Sequence, residues 1–229
     1  MEQELSKIRA SCQNCQKCPL GKTRTNIVFS DGIPNHKLML IGEAPGFNED
    51  QTGKPFVGRA GQLLDKILAS VGLSREKDVY ICNTLKCRPP DNRDPLPAEK
   101  EACRAFLDAQ LEILKPRLII LCGRVALTSF LTHEKSISKI RGQWFDGPYG
   151  SKMMPIFHPS YLLRNQSKAV GSPKWLMWQD IQEIKRAYDE LEYKPDVDYV
   201  CNNYVWGFFG GVGPYYGAMD RDDRVGIGA

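Results

Sequence analysis

No run of eighteen apolar residues occurs anywhere in the 229-residue chain, so a membrane-spanning helix is not expected. The opening stretch MEQELSKIRASCQNC carries early acidic residues and lacks the apolar core of a secretion signal, which points to a cytoplasmic protein. Charge imbalance is small: 31 Lys and Arg against 27 Asp and Glu leave a formal net charge of +4. That excess does not demand a nucleic-acid partner, but it allows one if the basic side chains gather on one face. Histidine is scarce, with His36, His133 and His158 the three in the chain. The first two stand in polar, charged stretches and read as surface residues, which leaves His158 for imidazole chemistry. A disulfide framework is not expected either, because eight cysteines in a reducing compartment are read as buried hydrophobes or metal ligands.

What is present is a set of four short apolar runs: LMLIG at 38–42, VYIC at 79–82, LIILCG at 118–123 and MPIF at 154–157. Unbroken hydrophobicity over strand length suits central strands buried on both faces. Helical patterns fill the gaps. From Arg59 to Val71, Leu63, Leu64, Ile67, Leu68 and Val71 share one face, and AEKEACRAFLDAQLEIL begins after Pro97, a favourable helix-start residue. GRVALTSFL follows the third run in the same way. Strands alternating with helices predict an α/β fold with a mostly parallel sheet covered on both sides. In such sheets ligands sit beyond the carboxyl ends of the strands, and the loops there read GEAPG, NTLKCRPP, CGRVA and HPSYLLRN.

The stretch 194–229 differs in composition, with seven glycines, and seven aromatics between Tyr199 and Tyr216. No period persists through it. The expected organisation is a domain over 1–193 followed by a Gly- and aromatic-rich extension over 194–229.

Cys12, Cys15 and Cys18 recur at intervals of three, while Cys87 and Cys103 stand far downstream. One close pair joined to two distant single cysteines would hold either zinc or a cubane iron-sulfur cluster, and the spacing leaves both open. Cys82 and Cys122 lie within apolar runs and read as small core residues.

Taken together, GEAPG, the ED at 49–50, G-PFVGRAG--LL, VYICN--KCRPP--R-P-P-E---C and HPSYLLRN resemble the family 4 uracil-DNA glycosylases, the iron-sulfur branch of their superfamily. The resemblance runs from about Cys15 to Tyr188. It implies a three-layer α/β/α sandwich around a short parallel sheet. It also implies a monomeric enzyme acting on uracil-containing DNA, single- or double-stranded, in the cytoplasm at the nucleoid. Cys15, Cys18, Cys87 and Cys103 would ligate a 4Fe-4S cluster of structural role, with zinc as the alternative.

The resemblance also distributes the chemistry. Uracil must be flipped out of the stack and held while its glycosidic bond breaks. Asn83 would read it, since a carboxamide offers one donor and one acceptor to uracil N3–H and O4. Phe56 would stack on the base. His158 would donate to O2 as charge builds on the leaving base, with Gly42, Glu43 and Ala44 of the GEAP turn around it. Glu43 would orient water or balance the sugar cation. The better-known branch has an aromatic where this chain has Gly46, so exclusion of the thymine methyl falls to Glu49. Glycines 58 and 61 would let phosphate approach a helix start; Arg59 and Arg164 would meet phosphate, and Leu162 or Leu163 would wedge into the stack. Two other readings are a non-catalytic iron-sulfur DNA-binding or redox-sensing module on this fold, and a zinc-stapled interaction domain.

Overall fold

The computed structural model describes residues 1–131 and 136–193; His133 and the 194–229 stretch, on which expectations were placed, lie outside the described residues. Among the described residues, six strands form one sheet: β1 (Asp31–Gly32), β2 (Leu38–Gly42), β3 (Val79–Asn83), β4 (Leu118–Cys122), β5 (Phe145–Asp146) and β6 (Lys152–Ile156). Their order is β1-β3-β2-β4-β6-β5. The four longer strands are the four apolar runs, paired in parallel, and the two-residue strands add antiparallel edges that no apolar run announced.

The helices are α1 (Glu2–Gln13), α2 (Leu20–Thr23), α3 (Phe47–Thr52), α4 (Arg59–Ala69), α5 (Pro97–Leu114), α6 (Arg124–Thr128), α7 (Ile137–Ile140), α8 (Pro159–Arg164) and α9 (Pro173–Tyr193). Because successive strand side chains point to opposite faces, each apolar run feeds two cores. Leu38, Leu40, Val79, Ile81, Leu118 and Ile120 meet α4, α8 and α9 on one side through Leu64, Leu68, Leu162, Met177, Ile181 and Ile184. Met39, Ile41, Tyr80, Cys82, Ile119 and Leu121 meet Leu5, Leu107 and Leu111 of α1 and α5 on the other. This is the expected three-layer α/β/α arrangement. Cys82 and Cys122 are core residues, as read.

A third, smaller cluster gathers Cys12, Leu20, Phe29, Leu85, Cys87, Cys103 and Phe106, of which Leu85 and Cys87 follow β3 directly. Beyond the strands the backbones of β2 and β3 remain tied, Thr84 N–H donating to Gly42 at 3.0 Å and Leu85 N–H to Glu43 at 3.2 Å.

The start of α4 is fixed by tight packing. A methyl group at Gly61 would lie 1.8 Å from the Phe56 carbonyl oxygen and 2.0 Å from its carbon, and backbone cannot retreat as a side chain can. Gly61→Ala is expected to lower stability by about 3 kcal/mol, roughly 6–12 °C in melting temperature for a protein of this size, measured by thermal unfolding.

Candidate active site

The loops after β2, β3, β4 and β6 enclose a cleft of about 820 Å³, at the strand ends where the α/β topology places ligands. At its floor Asn83, the last residue of β3, is 2% exposed. Its side chain and the Phe56 ring both lie against Gly42: a Cβ there would fall 2.4 Å from Asn83 Oδ1 and 2.6 Å from Phe56 Cε2 and Cζ. Glycine is therefore required at the end of β2 for the two groups to share the floor. Asn83 Oδ1 is buried and has no hydrogen-bond partner, a condition that costs about 1–3 kcal/mol unless a ligand N–H relieves it.

Phe56 adopts a left-handed backbone conformation, with φ of 54°, uncommon for a bulky residue and the kind of strain found at ligand clamps. Arg75 holds it there. Its guanidinium donates to the carbonyls of Phe56 at 2.8 Å and Pro55 at 3.2 Å while paired with Asp31 and Asp65.

The Phe56 ring stands 5.6 Å from that of His158, at 31°. His158 caps α8, and its Nδ1 accepts from Ser160 N–H at 3.2 Å. A lone pair on Nδ1 places the proton of the neutral ring on Nε2, the other edge. Burial, with Arg164 nearby, pushes the ring's pKa down to about 4, so the imidazole is a neutral donor at physiological pH.

Glu43 lines the same cleft. Its pKa is raised by burial and by Asp94, against the pull of Arg124 and Lys100. Glu49 is held from three directions: Oε2 accepts from Gly46 N–H at 3.1 Å, and Oε1 from Val57 and Gly58 N–H at 2.9 and 2.8 Å. The carboxylate thus pins the GEAPG turn to the PFVG loop. This corrects the reading of the glycines at 58 and 61. The Gly58 N–H is spent on Glu49, and Gly61 is buried beneath Phe56, so neither is shaped for phosphate.

Leu162 is corrected as well. It is 1% exposed and belongs to the core between α8 and the sheet, because the helical turn points it inward. Leu163 is half-buried and Arg164 exposed, which leaves these two at the surface. Arg59 is also exposed at the cleft, and neither it nor Arg164 has a carboxylate partner among the described residues. The sequence reading missed Phe47 and Tyr161, exposed aromatics on the cleft wall, and Arg93 and Arg124, which pair with Glu99 and Asp94 there. Tyr161, Arg93 and Arg124 lie within the quoted stretches HPSYLLRN, KCRPP--R and CGRVA, but their places on the cleft wall follow only from the folded loops.

Behind the cleft, Cys12, Cys15, Cys18, Cys87 and Cys103 line one small cavity. Arg24 braces it, donating to Cys87 Sγ at 3.3 Å and to the Cys15 carbonyl at 2.9 Å. Among the described residues no three acidic, histidine or cysteine side chains are disposed to hold a single metal ion. Five thiols lining one cavity are a donor set large enough for a metal group held by four of them, zinc or a cubane cluster alike. Cys12 faces this cavity too, from a fully packed position.

The family model of the uracil DNA glycosylase superfamily matches residues 29–182. A type-4 uracil-DNA glycosylase of Thermotoga maritima is 45% identical over 185 residues, 80% of this chain and 94% of its own. The type-4 enzyme of Archaeoglobus fulgidus is 44% identical over 168 residues, covering 70% and 84%. A type-5 uracil-DNA glycosylase of Pyrobaculum aerophilum is 33% identical over 155 residues, 60% of this chain and 67% of its own. Similarity of this extent, on a cleft with these groups at its floor, places the chain among the type-4 uracil-DNA glycosylases of the uracil-DNA glycosylase superfamily, enzymes that remove uracil from DNA.

Proposed function

We propose that the cleft holds a flipped uracil with its edge on Asn83, its face on Phe56 and its O2 toward His158. The buried, unpartnered Oδ1 of Asn83 carries this reading: it is an acceptor in want of an N–H, and uracil N3–H is the donor that cytosine lacks. As the glycosidic bond breaks, electron density moves onto the base. The Nε2–H of neutral His158 then donates to O2, a hydrogen bond that strengthens toward the transition state. Glu43 faces the sugar side, orienting water or balancing the cation. Glu49, made rigid by its three N–H bonds, fills the space that a thymine methyl would need.

Arg59 and Arg164 meet phosphate, and Leu163 replaces the extruded base in the stack. Residues 1–193 form the glycosylase domain, with 194–229 as an extension beyond it; the family model ends at 182. Cys15, Cys18, Cys87 and Cys103 ligate a 4Fe-4S cluster, which when bound supplies iron–thiolate bonds joining the N-terminal segment to the loop and helix after β3. No membrane-crossing helix occurs among the described residues.

Single-turnover excision from a uracil-containing oligonucleotide, read by alkaline cleavage of abasic sites, tests these roles. Asn83→Ala is expected to lose about 2 kcal/mol, roughly thirtyfold in rate, and His158→Ala about a hundredfold. Wild-type rates for either variant would remove that residue from the mechanism. The pH profile separates Glu43 from His158. As pH falls, the raised pKa of Glu43 means that it is protonated before His158, whose ring stays neutral to about 4. An acid limb above the ordinary glutamate value of about 4.3 is expected, absent in Glu43→Gln; an unchanged limb in that variant would assign it elsewhere. DNA affinity should fall steeply with salt, and Arg164→Ala should reduce the log–log slope by about 1.

A further inference from the structure

Lys86 has no exposed surface, and no other lysine among the described residues is buried. Its Nζ donates to the Asn83 carbonyl at 2.8 Å and to Gln110 Oε1 at 2.5 Å, and stands 5.6 Å from the centroid of the Phe29 ring. Gln110 is itself buried and fixed, its Nε2 donating to Tyr80 Oη at 2.7 Å and to the Phe29 carbonyl at 3.3 Å. All these partners are neutral. No carboxylate pairs with Lys86 among the described residues, and an ammonium withdrawn from water without a counter-charge is costly enough that buried charges are normally paired.

The anionic partner within reach is the cysteine set. Lys86 lines the cysteine cavity, its backbone N–H donates to Cys103 Sγ at 3.3 Å, and the next residue is Cys87. A cubane held by four thiolates carries net negative charge, so the cation and the ligand set are complementary. On its other side the same ammonium holds the carbonyl of Asn83, the residue whose amide forms the floor of the cleft.

We propose that Lys86 is a positioning residue joining the two sites. Its charge balances the ligating thiolates, and its hydrogen bond to the Asn83 carbonyl keeps the end of β3, and with it the Asn83 amide, in place for uracil. This rests on the reading that Cys15, Cys18, Cys87 and Cys103 hold a 4Fe-4S cluster.

Two variants of the full-length holoprotein separate the charge from the hydrogen bond. Lys86→Met removes both. Gln110→Glu keeps the ammonium and its bond to Asn83 but sets a carboxylate beside it, neutralising the charge locally. Three quantities are measured: the cluster's midpoint potential, the rate of iron release to a chelator followed by visible absorption, and single-turnover excision at saturating DNA. Both variants are expected to show a lower potential, since a nearby cation favours the reduced cluster, and about tenfold faster iron release, the scale on which groups behind metal ligands act. Lys86→Met alone should lose excision rate, by about tenfold, with affinity for abasic-site DNA unchanged.

Wild-type potential and iron release in both variants would overturn the counter-charge, and wild-type excision in Lys86→Met would overturn the positioning role. Equal loss of excision in both variants would also overturn it, because the bond to Asn83 survives in one. If Lys86→Met does not fold, Gln110→Glu decides the charge, and Lys86→Arg, which keeps a donor for Asn83, decides the hydrogen bond: it supports the bond by excising faster than Lys86→Met with Gln110→Leu, in which both polar partners are removed together, and overturns it by not doing so. A colourless, iron-free wild-type protein would overturn the cluster reading and the counter-charge with it, while excision by Lys86→Met would still decide the hydrogen bond.

Discussion

The site depends on one close approach, that of the Asn83 amide and the Phe56 ring to the bare backbone of Gly42. Parallel pairing of β2 with β3 sets Gly42 opposite Asn83, and α4 brings Phe56 down because Gly61 lets its helix press against the Phe56 carbonyl. With any side chain at 42 the ring and the amide could not both occupy the floor. The floor of the cleft is therefore a product of sheet register, two glycines and one strained turn.

Several local costs are concentrated around that floor. Asn83 keeps an unsatisfied buried acceptor, Phe56 sits in the left-handed region, and His158 is held neutral by burial. Each would be relieved or used by a planar base carrying an N–H donor and carbonyl acceptors. The double-cored sandwich tolerates them because the strands behind the site are buried on both faces and Arg75 clamps the Phe56 loop from outside. Such pre-organisation is what electrostatic stabilisation of a leaving group requires, since donors already in place need not reorganise during bond breaking.

The cysteine cavity and the cleft are linked by the chain that leaves β3. The chain after β3 passes from Asn83 through Thr84 and Leu85 to Lys86 and Cys87, so Cys87 stands four residues along the chain from the floor of the cleft. Thr84 bonds back to the end of β2 twice: its hydroxyl donates to the Glu43 carbonyl at 2.5 Å, and its N–H to the Gly42 carbonyl at 3.0 Å. Thus the turn carrying the carboxylate, the strand end carrying the amide and the cysteine loop form one hydrogen-bonded unit.

The sequence by itself determined the class of fold and the neighbourhood of the site. Four apolar runs of strand length, spaced by helical periods, require a parallel sheet covered on both faces, and the polar loops after them mark the ligand end. The motifs at 42–61, 79–103 and 158–165 pointed to the family, and Asn83, Phe56 and His158 line one cleft. Tertiary structure decided what each loop residue does there. Leu162 went to the core and Leu163 to the surface, because the orientation of a single helical turn is set by packing against α9 and the sheet and not by composition. Glycines 58 and 61 serve internal contacts, because the atoms that crowd them come from residues 48, 49 and 56, across a turn whose geometry no local period encodes. Lys86, Arg75 and Gln110 were unreadable for the same reason: a buried polar side chain acquires its meaning from partners that only the folded chain brings within hydrogen-bonding distance.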